Sequence, residues 1–110
     1  MNVSQEPKEA SGIRFSIDDG GSEVARAYLY LMSNDLHDAP FGLLEDVHVD
    51  ESQRGSGIGT QLVENVIATA KDAGCYKLIA TSRHARQKVH ELYARLGFQN
   101  HGVEFRIDFR

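Results

Sequence analysis

The first third of the chain alternates apolar and polar residues in two neighbouring segments. In IRFSIDDGG, residues 13–21, every second position is apolar and a polar turn sequence follows. This pattern predicts a half-buried strand whose apolar face is made by Ile13, Phe15 and Ile17. The next segment, EVARAYLYLMS (23–33), fits either a strand or a helix. The hairpin-type turn before it and its tyrosines favour a strand, so an antiparallel pair is predicted.

A third strand and a helix are predicted next. LLEDVHVD, residues 43–50, alternates so that Glu45 is expected on one strand face with Leu43, Val47 and Val49. From about residue 57 to 73, an apolar side chain recurs at every fourth position, as in an amphipathic helix. The expected apolar stripe consists of Ile58, Leu62, Val66 and Ala70. Gly74 is expected to end this helix.

The rest of the chain has the pattern strand, helix, strand. An apolar strand is predicted at 75–82, a helix at 86–98 with Gly97 as its C-cap, and a last alternating strand at 102–109. The inward side chains expected on this helix are Val89, Leu92, Tyr93 and Leu96. Because a crossover helix joins parallel strands, the prediction is an α/β fold. Its mixed central sheet combines an antiparallel meander with a parallel pair, flanked by helices, in a single domain of residues 1–110 with a polar leader at 1–12.

Composition narrows the class of protein. The net charge of −4 and the lack of a basic run argue against a nucleic-acid partner. No apolar run is long enough to cross a membrane, and the N-terminal residues lack the apolar core of a signal peptide. The lone cysteine, Cys75, excludes an internal disulfide and favours a reducing, cytoplasmic location. The histidines lack metal-binding spacing, so no metal site is expected.

QRGSGIG, residues 53–59, places three glycines between the predicted third strand and the following helix. Glycines there let a ligand approach bare N–H groups at a helix N-terminus, where an anion such as phosphate is favoured. The segment is not a P-loop, because no lysine follows the glycines. It is not a dinucleotide fingerprint either, because Thr60 stands where the last glycine is required. A phosphate loop of another type and a plain glycine-rich turn both remain open on these residues alone.

Three segments together resemble one family. Arg54-x-x-Gly57-x-Gly59 resembles the Q/R-x-x-G-x-G/A loop of the GNAT N-acetyltransferases. LLEDVHV resembles the strand before that loop in small amine acetyltransferases, and HELYARLGF resembles their late helix. The resemblance covers roughly residues 42–98. It implies the GNAT acyl-CoA N-acyltransferase fold, acetyl-CoA as acyl donor, and direct transfer of the acetyl group to a primary amine.

The resemblance also implies roles in the reaction. Transfer requires a neutral amine, but an alkyl amine with a pKa of about 10 is mostly ammonium at neutral pH. Glu45 is expected to take that proton, with its pKa raised by an apolar strand face, and Tyr93 to protonate the leaving thiolate. A backbone N–H near Val47, freed by a strand bulge, is the expected oxyanion donor. On the residues alone, a solvated Glu45–Asp46 pair and a core aromatic at Tyr93 stay open.

The same resemblance implies the binding contacts. Backbone amides of the loop are expected to bind the pyrophosphate of acetyl-CoA, and the loop residues are Arg54, Gly55, Ser56, Gly57, Ile58, Gly59 and Thr60. The backbone of Val47, His48 and Val49 is expected to pair with the pantetheine arm. Arg86 stands where the family commonly has an asparagine that contacts the cofactor. Asp46 is expected to attract a cationic acceptor.

One part of the family pattern is expected to be missing. Family members usually open with a strand and two helices that wall the acceptor pocket, whereas only the polar leader precedes Ile13. Three outcomes are open: a homodimer that completes the site, a bulky acceptor such as a protein amine instead of a small molecule, or CoA binding with little catalysis. The last is the alternative function, and an interaction domain without a ligand is a third.

Overall fold

Four strands form one sheet in the order β1-β2-β3-β4, comprising β1 (Ala10–Asp19), β2 (Ser22–Met32), β3 (Phe41–Val49) and β4 (Leu78–Ala80). The β1/β2 and β2/β3 pairs are antiparallel, and the β3/β4 pair is parallel. Helix α1 (Ile58–Asp72) connects the parallel strands, and α2 (Gln87–Arg95) follows β4. This confirms the predicted mixed sheet. The structure, a computed structural model, describes residues 1–110, and these form two compact units, 1–80 and 81–110.

The core of unit 1–80 lies between the sheet and α1. Leu29 of β2 pairs directly with Leu44 of β3, so both side chains point to the same sheet face, and both are buried. Leu62, Val63 and Val66 of α1 are fully buried against that face. On β1, the predicted apolar face is confirmed. Ile13, Phe15 and Ile17 pair with Leu29, Ala27 and Ala25, which are all buried.

Both α-helices end as the glycines predict. Gly74 and Gly97 have φ of 81° and 102°, values that glycine adopts without a side-chain clash. After α1, the Cys75 N–H donates to the Ala70 carbonyl at 3.1 Å, the bond that closes a Schellman motif. No helix of the chain is both long and apolar enough to cross a membrane.

The face predicted for β3 is wrong for Val49, although Leu43 and Glu45 share a face as expected, because a bulge interrupts the alternation. Tyr28 pairs with Glu45 and Arg26 with His48, so Asp46 and Val47 together lie opposite the single residue Ala27. The extra residue shifts the alternation by one position. Leu43 and Glu45 therefore lie on the sheet face away from α1. Val49 pairs with buried Ala25 and lies on the α1 side.

The predicted last strand at 102–109 is also wrong. Residues 99–110 form no strand, and Val103, Phe105, Ile107 and Phe109 are 63–94% exposed. Alternation makes a segment amphipathic, but a strand also needs a neighbour that pairs with its backbone groups. For the same reason the predicted strand 75–82 is reduced to Leu78–Ala80, the only residues of it that pair with β3.

The corrected face of β3 predicts which leucine stabilises the fold. Leu44→Ala should lower the free energy of unfolding by about 3 kcal/mol, because it leaves a cavity under α1. Leu43→Ala, on the opposite face at a half-buried position, is the matched control and should cost clearly less. Urea denaturation of both variants measures the difference. Equal losses would contradict the face assignment.

Candidate active site

The glycine loop connects the end of β3 to the start of α1. A 3₁₀ turn (Glu51–Gln53) follows β3, and Gly55 and Gly57 then adopt φ of 84° and 85°. Two side chains tie the loop to the sheet: Arg54 Nε donates to the Val49 carbonyl at 3.1 Å, and Gln53 Nε2 to Asp19 at 3.2 Å. The loop backbone is therefore held in a shape that residues with a side chain rarely adopt.

The loop presents open space and unused donors. A Cβ added at Gly55 or Gly57 would meet no heavy atom within 4 Å. The backbone N–H groups of Gly57, Ile58 and Gly59 make no hydrogen bond within the chain, as expected for the first turn of a helix. No acidic side chain occupies that turn of α1. These features fit an anion, and the predicted pyrophosphate of acetyl-CoA has the matching charge.

The strand that leads into the loop is open along one edge. The β3/β4 pairing ends at Leu44 with Ala80, whereas β3 continues to Val49. Backbone groups of Val47, His48 and Val49 therefore have no strand partner on that edge. The bulge expected near Val47 is present at Asp46 and Val47. An extended ligand can pair with such an edge, as a further strand would.

Charged side chains surround the bulge on the face away from α1. Arg26 Nε donates to Asp46 Oδ2 at 2.9 Å, and Arg26 Nη2 to Oδ1 at 3.4 Å. These hydrogen bonds hold the pKa of Asp46 below its usual value, so its carboxylate is ionised at neutral pH. Nearby, Arg14 pairs with Glu23 at 2.6 Å and donates to the Tyr28 hydroxyl at 3.2 Å.

Glu45 precedes the bulge directly. It is half-buried, and it pairs across the sheet with Tyr28. Its carboxylate makes no hydrogen bond or ion pair with the surrounding side chains, unlike Glu23 and Asp46 on the same face. A carboxylate without a partner in the protein keeps its oxygens available for a proton from a ligand.

Tyr93 and Arg86 belong to the unit 81–110. The buried Tyr93 lies in the last turn of α2, and its ring is 5.1 Å from that of Phe98. The Phe98 N–H donates to the Tyr93 carbonyl at 2.9 Å, and Gly97 provides the left-handed turn between them. Gly97 and Phe98, which follow Tyr93 by four and five residues, therefore form the C-terminal cap of α2 and hold Tyr93 in place. Arg86 is exposed directly before α2.

The structure therefore brings most predicted site residues together in unit 1–80. Glu45, Asp46 and the backbone of 47–49 lie on β3, and the loop 54–60 follows directly. Sequence reasoning missed Arg26, which holds Asp46 across the bulge. Its position between two buried alanines on β2 indicates an outward side chain, but no pattern in the sequence identifies its partner.

The family comparison agrees with this geometry. The model of the acetyltransferase (GNAT) family matches residues 5–98. A putative acetyltransferase from Agrobacterium tumefaciens strain C58 has a similar structure, with a TM-score of 0.82 and 30% identity, over 94% of this chain and 70% of that one. An acetyltransferase structure from Trypanosoma brucei gives a TM-score of 0.77 and 30% identity, over 91% and 69% of the two chains.

Relatives with similar sequences have names that specify an acceptor. A probable glucosamine 6-phosphate N-acetyltransferase from Oryza sativa subsp. japonica is 40% identical over 68 residues, or 62% of this chain and 39% of that protein. An aminoglycoside N(6')-acetyltransferase from Stenotrophomonas maltophilia is 34% identical over 80 residues, or 73% of this chain and 51% of that protein. The chain thus spans between about two fifths and one half of the length of these relatives.

Proposed function

Because the chain belongs to the GNAT acetyltransferase family, we propose that it transfers the acetyl group of acetyl-CoA directly to a primary amine. The observation that carries this proposal is the loop before α1, where two glycines at positive φ leave open space beside unused N–H groups. When bound, acetyl-CoA supplies an activated thioester as acyl donor. Calorimetry with acetyl-CoA tests the loop, and no binding at millimolar ligand would overturn the proposal.

The binding contacts follow the shape of unit 1–80. Amides of the loop 54–60 hold the pyrophosphate, with the dipole of α1 behind them. The open edge of Val47, His48 and Val49 pairs with the pantetheine arm through backbone hydrogen bonds. Arg54 acts by fixing the loop, because its Nε is bonded to the Val49 carbonyl. The exposed guanidinium of Arg86 is proposed as a further contact to the acidic cofactor.

Three groups of the chain move or stabilise charge. The free carboxylate of Glu45 takes the proton of the amine, directly or through a water. The Val47 N–H at the bulge donates to the carbonyl oxygen as negative charge develops there. The Tyr93 hydroxyl gives its proton to the leaving sulfur, since a phenol is protonated at neutral pH.

For the acceptor, we propose an amino sugar. The support is that relatives named for glucosamine 6-phosphate and for aminoglycosides match this chain over more than half of its residues.

We also propose a cytoplasmic homodimer. Exposed apolar side chains at 103–109 provide surface that a second copy would cover, and the single half-buried thiol of Cys75 is compatible with a reducing compartment. Sedimentation velocity tests the dimer, and a monomer at all concentrations would exclude it.

The role of Glu45 predicts a pH-dependent loss of activity. Glu45→Gln keeps the shape of the side chain and removes the base, so turnover at pH 7 should fall about tenfold. The loss should shrink towards pH 9, because a larger fraction of the amine is then neutral without help from the protein. Steady-state kinetics from pH 6.5 to 9.5 check this. A deficit that is constant over this range would argue against Glu45 as the base, and Glu23→Gln is the matched control on the same sheet face.

A further inference from the structure

Asp46 has an unusual backbone conformation at a central position. It is the one non-glycine residue of the chain with a positive φ, 51°. Left-handed backbone is unfavourable for a residue with a side chain and persists only where its surroundings hold it. Asp46 is also the bulged residue of β3, between the proposed base Glu45 and the proposed donor Val47. Whatever holds Asp46 therefore holds the shape of the strand at the transfer site.

The holding contact comes from the neighbouring strand. The Arg26 guanidinium reaches Asp46 with two nitrogens, at 2.9 and 3.4 Å. Arg26 itself pairs with His48, on the far side of the bulge from Glu45. Its chain neighbours Ala25 and Ala27 are buried in the sheet core, so its backbone is firmly placed. The pair thus connects the bulged residue to a rigid part of the sheet.

Other roles for this pair fit the structure less well. Half-exposed ion pairs generally contribute little to stability, and such a pair does not require a strained aspartate. The second arginine on this face, Arg14, is engaged with Glu23 and Tyr28, so Arg26 is the only cation bonded to Asp46. The competing role for Asp46 is contact with the acceptor, but both of its carboxylate oxygens already accept hydrogen bonds from Arg26.

On the basis of the proposed function, we propose that Arg26 is a positioning residue. Its two hydrogen bonds to Asp46 hold the β3 bulge in the shape that presents the Val47 N–H to the reacting carbonyl. Arg26 then acts through Asp46 and touches neither substrate. Its loss should affect the transfer step more than the binding of either substrate.

A set of variants separates these roles. Arg26→Gln removes the charge and the two-nitrogen contact, so kcat should fall about tenfold while the KM of the amine stays within about twofold. Arg26→Lys retains one charged donor and should recover part of kcat. Asp46→Gly can adopt positive φ without a side chain, and it removes the carboxylate that Arg26 holds. In the Asp46→Gly background, Arg26→Gln should then change kcat by less than about twofold.

A second measurement does not depend on activity. Backbone chemical shifts of residues 46 and 47, recorded by NMR without ligand, report their φ and ψ. We expect these shifts to change in Arg26→Gln, and in the Asp46→Gly background we expect Arg26→Gln to leave them unchanged. Arg14→Gln breaks the neighbouring ion pair on the same face and is the matched control, which should leave the shifts and kcat intact.

Two results would overturn the positioning role. One is an Arg26→Gln protein with unchanged shifts at 46 and 47. The other is an Arg26→Gln protein whose KM for the amine rises while its kcat is constant, which would assign the Arg26–Asp46 pair to acceptor binding. If the wild-type protein binds acetyl-CoA but transfers nothing, the proposed function fails. The NMR result still decides whether Arg26 holds the bulge.

Discussion

Tyr93→Phe is expected to lower turnover about a hundredfold while the affinity for acetyl-CoA stays within about twofold. The phenol is the proposed source of the proton for the leaving thiolate, and without it sulfur must depart as an unprotonated anion. The aromatic ring is retained, so the contact with Phe98 that caps α2 should persist. Steady-state kinetics give kcat, and calorimetry gives the dissociation constant of acetyl-CoA.

The control for this variant is a tyrosine in another part of the chain. Tyr76 is 38% exposed, and its ring lies 4.0 Å from that of His37. Tyr76→Phe removes the same hydroxyl group and should leave kcat unchanged. If Tyr93→Phe also turned over like the wild type, Tyr93 would be a core aromatic and the proton donor would have to be another group.

Gly57→Val should produce the opposite kinetic pattern, with acetyl-CoA bound about thirtyfold more weakly. The branched side chain would fill the open space in front of the loop amides and strain a backbone with φ of 85°. Loss of one hydrogen bond to a charged phosphate is worth about 2 kcal/mol, which corresponds to roughly thirtyfold in affinity. Titration calorimetry on the folded variant measures this loss directly.

Gly21 offers a closely matched control. It has φ of 86° in the β1–β2 turn, and a Cβ there would also meet nothing within 4 Å. Gly21→Val therefore imposes comparable backbone strain outside residues 54–60, and it should lower stability while acetyl-CoA binding stays intact. Wild-type affinity in Gly57→Val would refute the assignment of the pyrophosphate to this loop.

Short-range chemistry made much of the fold predictable. Helix ends at Gly74 and Gly97 follow from the conformational freedom of glycine, and the apolar face of β1 follows from strict alternation. The open amides of the loop also follow from its glycines, because Gly55 and Gly57 adopt positive φ and carry no side chain that would cover the backbone. In each case a few neighbouring residues determine the local structure.

Other features depend on residues that are distant in sequence. The bulge at Asp46 places Val49 on the opposite sheet face from Leu43 and Glu45, yet LLEDVHV reads as a regular strand. Asp46, with a φ of 51°, is hydrogen-bonded to Arg26, which lies 20 residues earlier in the chain. The alternating segment 103–109 meets the local rule for a strand but has no pairing partner. Pairing and bulges are tertiary properties, so alternation alone does not determine them.

Transfer of acetyl groups from acetyl-CoA to amines is the activity that we propose for this chain. It is tested most directly by measuring release of the CoA thiol from acetyl-CoA with a panel of primary amines that includes free, phosphorylated and aminoglycoside amino sugars. The proposed acetyl transfer predicts amine-dependent thiol release with an equal amount of N-acetylated product, highest for an amino sugar. Binding of acetyl-CoA without thiol release above background for any amine would contradict it and would leave a domain that only binds CoA.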